Sequence, residues 1–256
     1  SWTNATIVPS ELSGLSERDR EIWESVDRRA EVTLPYVVAR AQVGGGRYRR
    51  YWEGDLDAVP DAGLFDSPAR RELSRRLLTG HSIVWLMIGS DDPKRNQRVR
   101  ETLTGRFAAL EQSVQLPEGI GLPGSELHSE VPLVLQFSLL EVDRRDPKEQ
   151  VLVRLLSGFQ TEQYQQGEPL LVPVFGRGRA LEVIPASILS QQLIEDLTVF
   201  LSDACSCQVK EQNPGFDLLL SVDWNTELFG ADVTPPSAQS PGASADPVLL
   251  RIPPGR

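Results

Sequence analysis

The sequence predicts an α/β protein with a mixed sheet, and three observations favour this class. An apolar run at residues 83–88 is typical of a buried strand, and a helical pattern follows it directly. Further strand-like and helix-like segments alternate on both sides of this unit. The chain has 256 residues and 40% apolar content, which is enough for a substantial core. The apolar positions of the helix, spaced by four, four and three residues, are Val99, Leu103, Phe107 and Leu110.

The junction between this strand and its helix carries a clear start signal. Asp92 is a favoured N-cap residue, and Pro93 is a favoured first helical residue. The tripeptide Asp-Pro-Lys recurs at residues 146–148, again between an apolar run and an amphipathic helix. The repeat predicts the same capping arrangement at residues 92–94 and 146–148.

The segments before this unit predict two helices and a strand. Ser16 begins an N-terminal helix, and residues 35–41 form a strand. We expect residues 44–52, rich in Gly, Arg and Tyr, to form a long loop. A second helix opens at residues 66–68 and ends at Gly80. Its inward side chains are Leu73, Leu77 and Leu78.

The segments after the unit predict a strand, a helix, a hairpin and a last helix. Residues 131–142 form a strand, and a helix follows that ends at Gly158. A glycine-containing turn at residues 176–179 joins two short apolar runs, which is typical of a β-hairpin. Pro173 in the first run requires an edge position or a bulge. The last helix turns inward Ile188, Leu189, Leu193, Leu197, Phe200 and Leu201.

The resulting order βαβαβαββα resembles the thioredoxin fold. The resemblance covers residues 35–203, with a helical extension at 1–34 and a tail at 204–256. The tail contains a Cys-x-Cys pair, a potential added edge strand at residues 216–222 and a proline-rich segment. The resemblance implies that Pro169 is the cis-proline that faces the active loop in such proteins.

A second resemblance rests on two short stretches of sequence. Residues 174–181 and 205–215 resemble an uncharacterised family of planctomycete-type bacterial proteins. This resemblance implies no activity.

Thioredoxin-like proteins carry a Cys-x-x-Cys pair where the strand meets the helix, and this chain has none there. Thiol chemistry needs a thiolate whose pKa is lowered, as at a helix N-terminus, but residues 90–94 contain no sulfur. The sequence therefore argues against the standard oxidoreductase mechanism. Cys205 and Cys207 lie after the last predicted helix. Such a pair can be structural, redox-active or metal-binding, and we favour a structural role.

The other motifs predict no cofactor and no metal site. Residues 119–124 match a dinucleotide-binding pattern literally, but they precede a strand and open no helix. Arg177 and Arg179 could hold an anion at the 176–179 turn, although a plain hairpin turn is favoured. His81 and His128 have no zinc-type spacing, so we expect surface or hydrogen-bonded histidines.

Charge and hydropathy limit the partners that we expect. The net charge of −10 argues against nucleic acid, although Arg47, Arg49 and Arg50 lie among aromatic residues. We interpret these arginines as stacked on a loop. No run of 18 apolar residues occurs, so we expect no membrane span. The chain begins at Ser1 and has a single methionine, Met87, which a removed signal peptide or anchor would explain, as would a sequence trimmed at its start. We therefore expect a periplasmic or otherwise extracytoplasmic location.

Together these patterns predict a non-catalytic, thioredoxin-like protein of the cell envelope that binds a protein partner. The alternative is a thiol–disulfide oxidoreductase or isomerase that uses Cys205 and Cys207. The sequence does not predict an oligomeric state.

Overall fold

Eight helices and eight strands form the described part of the chain. The computed structural model describes residues 7–26, 32–42, 48–113, 134–202 and 215–229. The helices are α1 Glu17–Glu24, α2 Val59–Ala62, α3 Pro68–Leu78, α4 Pro93–Ser113, α5 Gln150–Ser157, α6 Thr161–Gln165, α7 Gln191–Ser202 and α8 Trp224–Phe229. The strands are β1 Tyr36–Gln42, β2 Tyr48–Asp55, β3 His81–Ile88, β4 Val134–Val142, β5 Leu170–Phe175, β6 Arg179–Ala180, β7 Ile184–Pro185 and β8 Phe216–Asp217.

The main sheet is mixed, which confirms the predicted α/β class. Its strand order is β4-β3-β5-β6-β8, and β7 pairs with β5 beside β6. β3 and β4 run parallel, as the helical crossover α4 between them requires. All the other pairings in this sheet are antiparallel.

The central strand β3 is covered on both faces, which explains its uninterrupted apolar run. Residues 83–88 are all fully buried. Side chains at the odd positions, such as Trp85, pack with α4 and α7. Side chains at the even positions, such as Leu86, pack with α3, α5 and residues 218–224. The helical spacing predicted for α4 is confirmed, because its four predicted inward side chains are buried.

The predicted hairpin at residues 176–179 is confirmed, and the structure explains how it accommodates Pro173. Phe175 pairs with Arg179, and Gly176 and Gly178 adopt positive φ in the turn. The Pro173 C=O accepts a hydrogen bond of 3.0 Å from the Leu181 N–H. Pro173 therefore faces the interruption between β6 and β7, where the sheet needs no N–H donor from it.

The predicted strand at residues 35–41 exists, but its assignment to the main sheet was wrong. β1 pairs with β2 in a separate two-stranded sheet, from Tyr36 opposite Asp55 to Gln42 opposite Tyr48. The loop expected at residues 44–52 was also wrong from Tyr48 onward, since β2 begins there. Adjacent antiparallel strands pair locally, and this pairing left β1 unavailable to the main sheet.

The inward face predicted for the last helix was wrong at two positions. α7 begins at Gln191, so Ile188 lies in a preceding 3-10 turn and is 59% exposed. Phe200 is 46% exposed, whereas Ile194, Thr198 and Leu201 are buried. The buried face of α7 is thus rotated from the predicted one. Leu189, Leu193 and Leu197 are partly buried against the core.

Residues 215–229 complete one side of the core. The edge strand expected here is confirmed, although it extends only over Phe216–Asp217. Leu218 and Leu220 are fully buried, and Trp224 is buried at the start of α8. This segment packs against the α3 and α5 side of the sheet.

A buried carboxylate joins α3 to the turn before α5. Glu149, 3% exposed, accepts hydrogen bonds of 2.7 Å from the Ser67 hydroxyl and from the Ala69 N–H. Its carboxylate therefore satisfies hydrogen-bond donors at the start of α3. Its negative charge also interacts favourably with the positive N-terminal end of that helix. The neighbouring Arg70 is also buried, and it donates to the Leu64 C=O at 2.7 Å. Burial lowers the pKa of Arg70, and the negative charge of Glu149 partly offsets this effect.

None of the described helices combines the length and the apolar character that are needed to cross a membrane.

Candidate functional site at the start of α4

The turn between β3 and α4 is filled by capping hydrogen bonds. The Lys94 N–H donates to the Asp92 carboxylate at 2.9 Å, and the Asp92 N–H donates to the Ser90 hydroxyl at 3.0 Å. The Asn96 side chain closes the turn through two bonds, since it accepts from the Ser90 N–H at 2.7 Å and donates to the Ser90 C=O at 2.9 Å. Asp92 is therefore the cap that the sequence predicts. These side chains stabilise the helix start and present no sulfur nucleophile there.

Arg144 connects three segments at this end of the main sheet through hydrogen bonds. Its guanidinium donates to the C=O of Gly89 at the end of β3, of Tyr164 at 3.2 Å and of Glu168 at 2.8 Å. The guanidinium also lies 4.6 Å from the centre of the Tyr164 ring. One side chain thus connects the start of α4, the α6 segment and the residue before Pro169. Sequence reasoning missed Arg144, because nothing local distinguishes it from the other arginines of the chain.

An open groove of about 260 Å³ lies between α4 and the residues that flank β5 and β7. Its apolar lining consists of Val99, Pro169, Ala186 and Leu189. Its polar lining consists of Arg95, Arg98, Thr102, Glu168 and Ser187. Concave apolar sites with a few polar groups at their margin are typical of binding sites.

The margin of the groove carries positive charge. Arg98 is exposed and forms no ion pair with any residue that the structure describes, and Arg95 lies 3.8 Å from Asp92. The nearby carboxylates already have partners: Asp92 caps α4, and Glu168 accepts from the Ser187 N–H. Asp91 is paired with Arg145 at 2.9 Å. Arg98 therefore remains available to a negatively charged ligand, whereas Arg95 already interacts with Asp92.

Pro169 lies in the wall of the groove, but it is not a cis-proline. Among the described residues the cis bond is Leu34–Pro35, so the cis isomer implied for Pro169 was wrong. A trans X-Pro bond is the more stable form unless the surrounding structure imposes the other isomer. Pro169 nevertheless contributes to the site, since its C=O accepts from the Ala186 N–H at 3.0 Å.

Arg177 and Arg179 lie at the opposite end of the sheet from the groove. Phe175 pairs with Ile83 at the beginning of β3, whereas Leu170 pairs with Ile88 at its end. Arg179 donates to the Asp217 carboxylate at 3.2 Å and to the Gly215 C=O at 3.3 Å, so it holds β8. Arg177 is half-buried, and burial lowers its pKa. The less favoured alternative of an anion site at this turn stays untested, and the fold does not bring these residues to Pro169.

His81 is hydrogen-bonded, as the sequence analysis expected. Its Nδ1 atom lies 2.9 Å from the Ser138 hydroxyl. Burial and the positive charges of Arg76 and Arg75 lower the pKa of His81.

The described residues contain no cluster of three or more His, Cys, Asp or Glu side chains that could hold a metal ion. Cys205, Cys207, His128 and residues 119–124 lie outside the described residues.

The arginines of the β1–β2 hairpin contact aromatic and acidic side chains of the chain itself. Arg18 and Arg40 lie 4.6 and 4.9 Å from the centre of the Tyr48 ring. Arg49 lies 5.5 Å from the Phe159 ring, and Arg50 pairs with Glu53 at 2.7 Å. Of the three arginines that we expected to be stacked, Arg49 is stacked, Arg50 is paired with an acidic side chain, and Arg47 lies outside the described residues. That the protein binds no nucleic acid stays a prediction.

No family model, no curated protein and no solved structure matches this chain.

Proposed function

We propose that this protein is a non-catalytic, thioredoxin-like domain of the cell envelope that binds a protein partner. The strand order supports the fold assignment. In the series β4-β3-β5-β6, the first pair is parallel and the next two pairs are antiparallel. α4 and α7 cover one face and α5 covers the other, as in the thioredoxin arrangement. The added hairpin β1–β2 and the strand β8 lie outside this common core.

The chemistry of the α4 start supports a binding role over catalysis. Side chains at a redox site must remain free to react, and a thiolate there needs the positive end of the helix. Here Asp92 and Asn96 satisfy the turn, and residues 89–94 contain no cysteine. Beside this closed turn, the groove remains open and carries an apolar lining. The proposal rests on one combined observation. The backbone groups at the start of α4 are already hydrogen-bonded by side chains, and the groove beside them is open.

Site-specific photo-crosslinking in the source cells tests the proposal. A photoreactive amino acid replaces Thr102, which lines the groove, and in a second variant it replaces Thr104. The two positions are a matched pair, because each hydroxyl donates to the C=O four residues earlier in α4, at 2.9 and 2.8 Å. Thr104 is exposed and does not line the groove. We expect a defined protein adduct from position 102 and none from position 104.

Equal adducts from both positions, or none from either, would contradict a binding role for the groove. Cell fractionation of the same samples checks the location. Recovery of the protein and its adduct in the cytoplasmic fraction would contradict the proposed envelope location.

The alternative function, thiol–disulfide exchange through Cys205 and Cys207, has a separate test. A disulfide-reduction assay compares the wild type with Cys205→Ser. If the protein is non-catalytic, the wild type and the variant show the same background rate of disulfide reduction. Robust activity that disappears in the variant would favour the alternative.

A further inference from the structure

We propose that the occupant of the groove is a short, extended, acidic segment of the partner protein. This inference rests on the proposed function and specifies the chemistry that the groove selects. Carboxylates of the segment pair with Arg95 and Arg98 at the margin, while an apolar side chain of the segment packs on Val99, Ala186 and Leu189. The segment lies along α4 and does not add to the sheet.

The charge of the groove argues for an acidic occupant. The chain as a whole carries −10, so an acidic partner is repelled by most of its surface. The groove differs locally, because its lining contains two arginines, Arg95 and Arg98, against a single carboxylate, Glu168. An acidic segment therefore finds its complementary charge here, and the guanidiniums can bind its carboxylates in bidentate fashion.

The edges of the main sheet argue against binding by strand addition. On β4 the Val142 C=O points to β3, since it accepts from the Gly89 N–H, so Phe137 and Leu139 direct their backbone groups outward. Side chains occupy both of these positions. The Phe137 N–H donates to the Glu111 carboxylate at 2.9 Å, and the Leu139 C=O accepts from Arg76 at 2.8 Å. At the other edge, β1 packs against β8. Two backbone groups at the described β4 edge are thus already occupied, which disfavours strand addition there.

Selection from a library of random octapeptides displayed on phage tests the inference. The library is selected on the immobilised wild type and, in parallel, on Arg95→Glu/Arg98→Glu. A control is Lys94→Glu, which makes half of that charge change, next to Arg95 on α4, at a residue outside the groove lining. The most enriched peptide is synthesised together with a counterpart in which Gln replaces each Asp and Glu. Fluorescence anisotropy then measures the Kd of both peptides.

We expect the wild type and Lys94→Glu to enrich Asp and Glu about twofold or more over the starting library, and the double variant to lose this enrichment. The acidic peptide should bind at least about fivefold more tightly than its Gln counterpart, which corresponds to two ion pairs at a partly exposed site. This preference should shrink as the salt concentration rises.

Three results would overturn the inference, and they separate it from the proposed function. The selected peptides could show no acidic enrichment and yet lose their binding in the variant Ala186→Trp. This result would show that the groove binds peptides but does not select acidic ones. Failure to select any peptide, together with a protein adduct at position 102, would leave a binding protein whose groove does not take acidic segments. If succinate displaces the peptide at a concentration close to the Kd of the peptide, the ligand of the groove is a small carboxylate instead.

Discussion

The two Asp-Pro-Lys turns share a tripeptide and a capping bond, yet they have different surroundings. In both, the Lys N–H donates to the Asp carboxylate at 2.9 Å. The turn at residues 92–94 starts the 21-residue helix α4 and is exposed beside the groove. The turn at residues 146–148 forms a 3-10 turn before α5, and the next residue, Glu149, is buried against Ser67.

This difference separates what a local motif does from what its neighbours do. The cap depends on three residues, so it recurs wherever they recur. The residue after each lysine has no such constraint. It is Arg95 at the first turn, where it lines the groove, and Glu149 at the second, where it holds α3. The first turn therefore suits ligand binding, whereas the second is structural.

The largest expected effect separates the residues that follow the two turns. Glu149→Ala should lower the free energy of unfolding by about 3 kcal/mol, because the buried Ser67 hydroxyl, Ala69 N–H and Arg70 lose their acceptor or counter-charge. Arg95→Ala at the equivalent position should change it by less than about 0.5 kcal/mol. Urea denaturation followed by circular dichroism measures both. Similar losses in the two variants would remove the distinction between the turns.

A smaller effect tests how the first turn is supported. Arg144→Met should lower the free energy of unfolding by about 2 kcal/mol, since three C=O groups lose a charged donor. The neighbouring Arg145→Met is the matched control, because this side chain is 73% exposed and holds only the surface pair with Asp91. We expect about 0.5 kcal/mol or less for the control. Equal Tm shifts in a thermal melt would contradict the bracing role of Arg144.

The shared cap predicts matched losses. Asp92→Ala and Asp146→Ala should each lower the free energy of unfolding by about 1 kcal/mol, because each removes one N-cap bond of the same length. The double variant should show an additive loss of about 2 kcal/mol. A loss at Asp146 that is several times larger than the loss at Asp92 would mean that the surroundings, and not the cap, set the energy of these turns.

The smallest effect concerns a partly exposed carboxylate on α3, Glu72, in contrast with the buried Glu149 near the start of that helix. Hydrogen bonds from Arg75 and Arg76 lower the pKa of Glu72 from 4.5 to about 2. Since the folded pKa is the lower one, the stabilisation is complete above pH 4.5 and is lost as the pH falls from 4.5 towards 2. Solvent screening limits it to at most about 1 kcal/mol.

Glu72→Gln should therefore flatten the acid limb of the stability profile in that pH window and leave its neutral region lower by the same amount. Urea unfolding between pH 2 and pH 7 measures this. An unchanged acid limb would show that the exposed pair contributes nothing.

Much of the fold was predictable from the sequence because its signals are local. The apolar run at 83–88, the spacing in α4 and the glycine turn at 176–179 each report a nearby constraint on the backbone or on burial. The partner of a strand carries no such signal. The segment at residues 35–41 was correctly predicted as extended, but its pairing with β2 depended on a neighbour whose Arg- and Tyr-rich sequence favoured a loop.

The candidate site was predictable only at its turn. Asp92 and Pro93 were expected at the helix start, and Pro169 was expected to face it. Arg95, Arg98, Arg144 and Glu168 were not expected, because their roles depend on segments that are far apart in the chain.

By itself the sequence determined where α1, α3 and α4 begin, which side chains of α4 face the core, and that no sulfur lies at the start of α4. Those properties depend on residues within a few positions of one another. Only the tertiary structure decided that one Asp-Pro-Lys turn lies beside a groove while the other is followed by a buried carboxylate, Glu149. That outcome depends on long-range contacts, such as those of Glu149 with Ser67 and of Arg144 with Glu168, which no local pattern encodes.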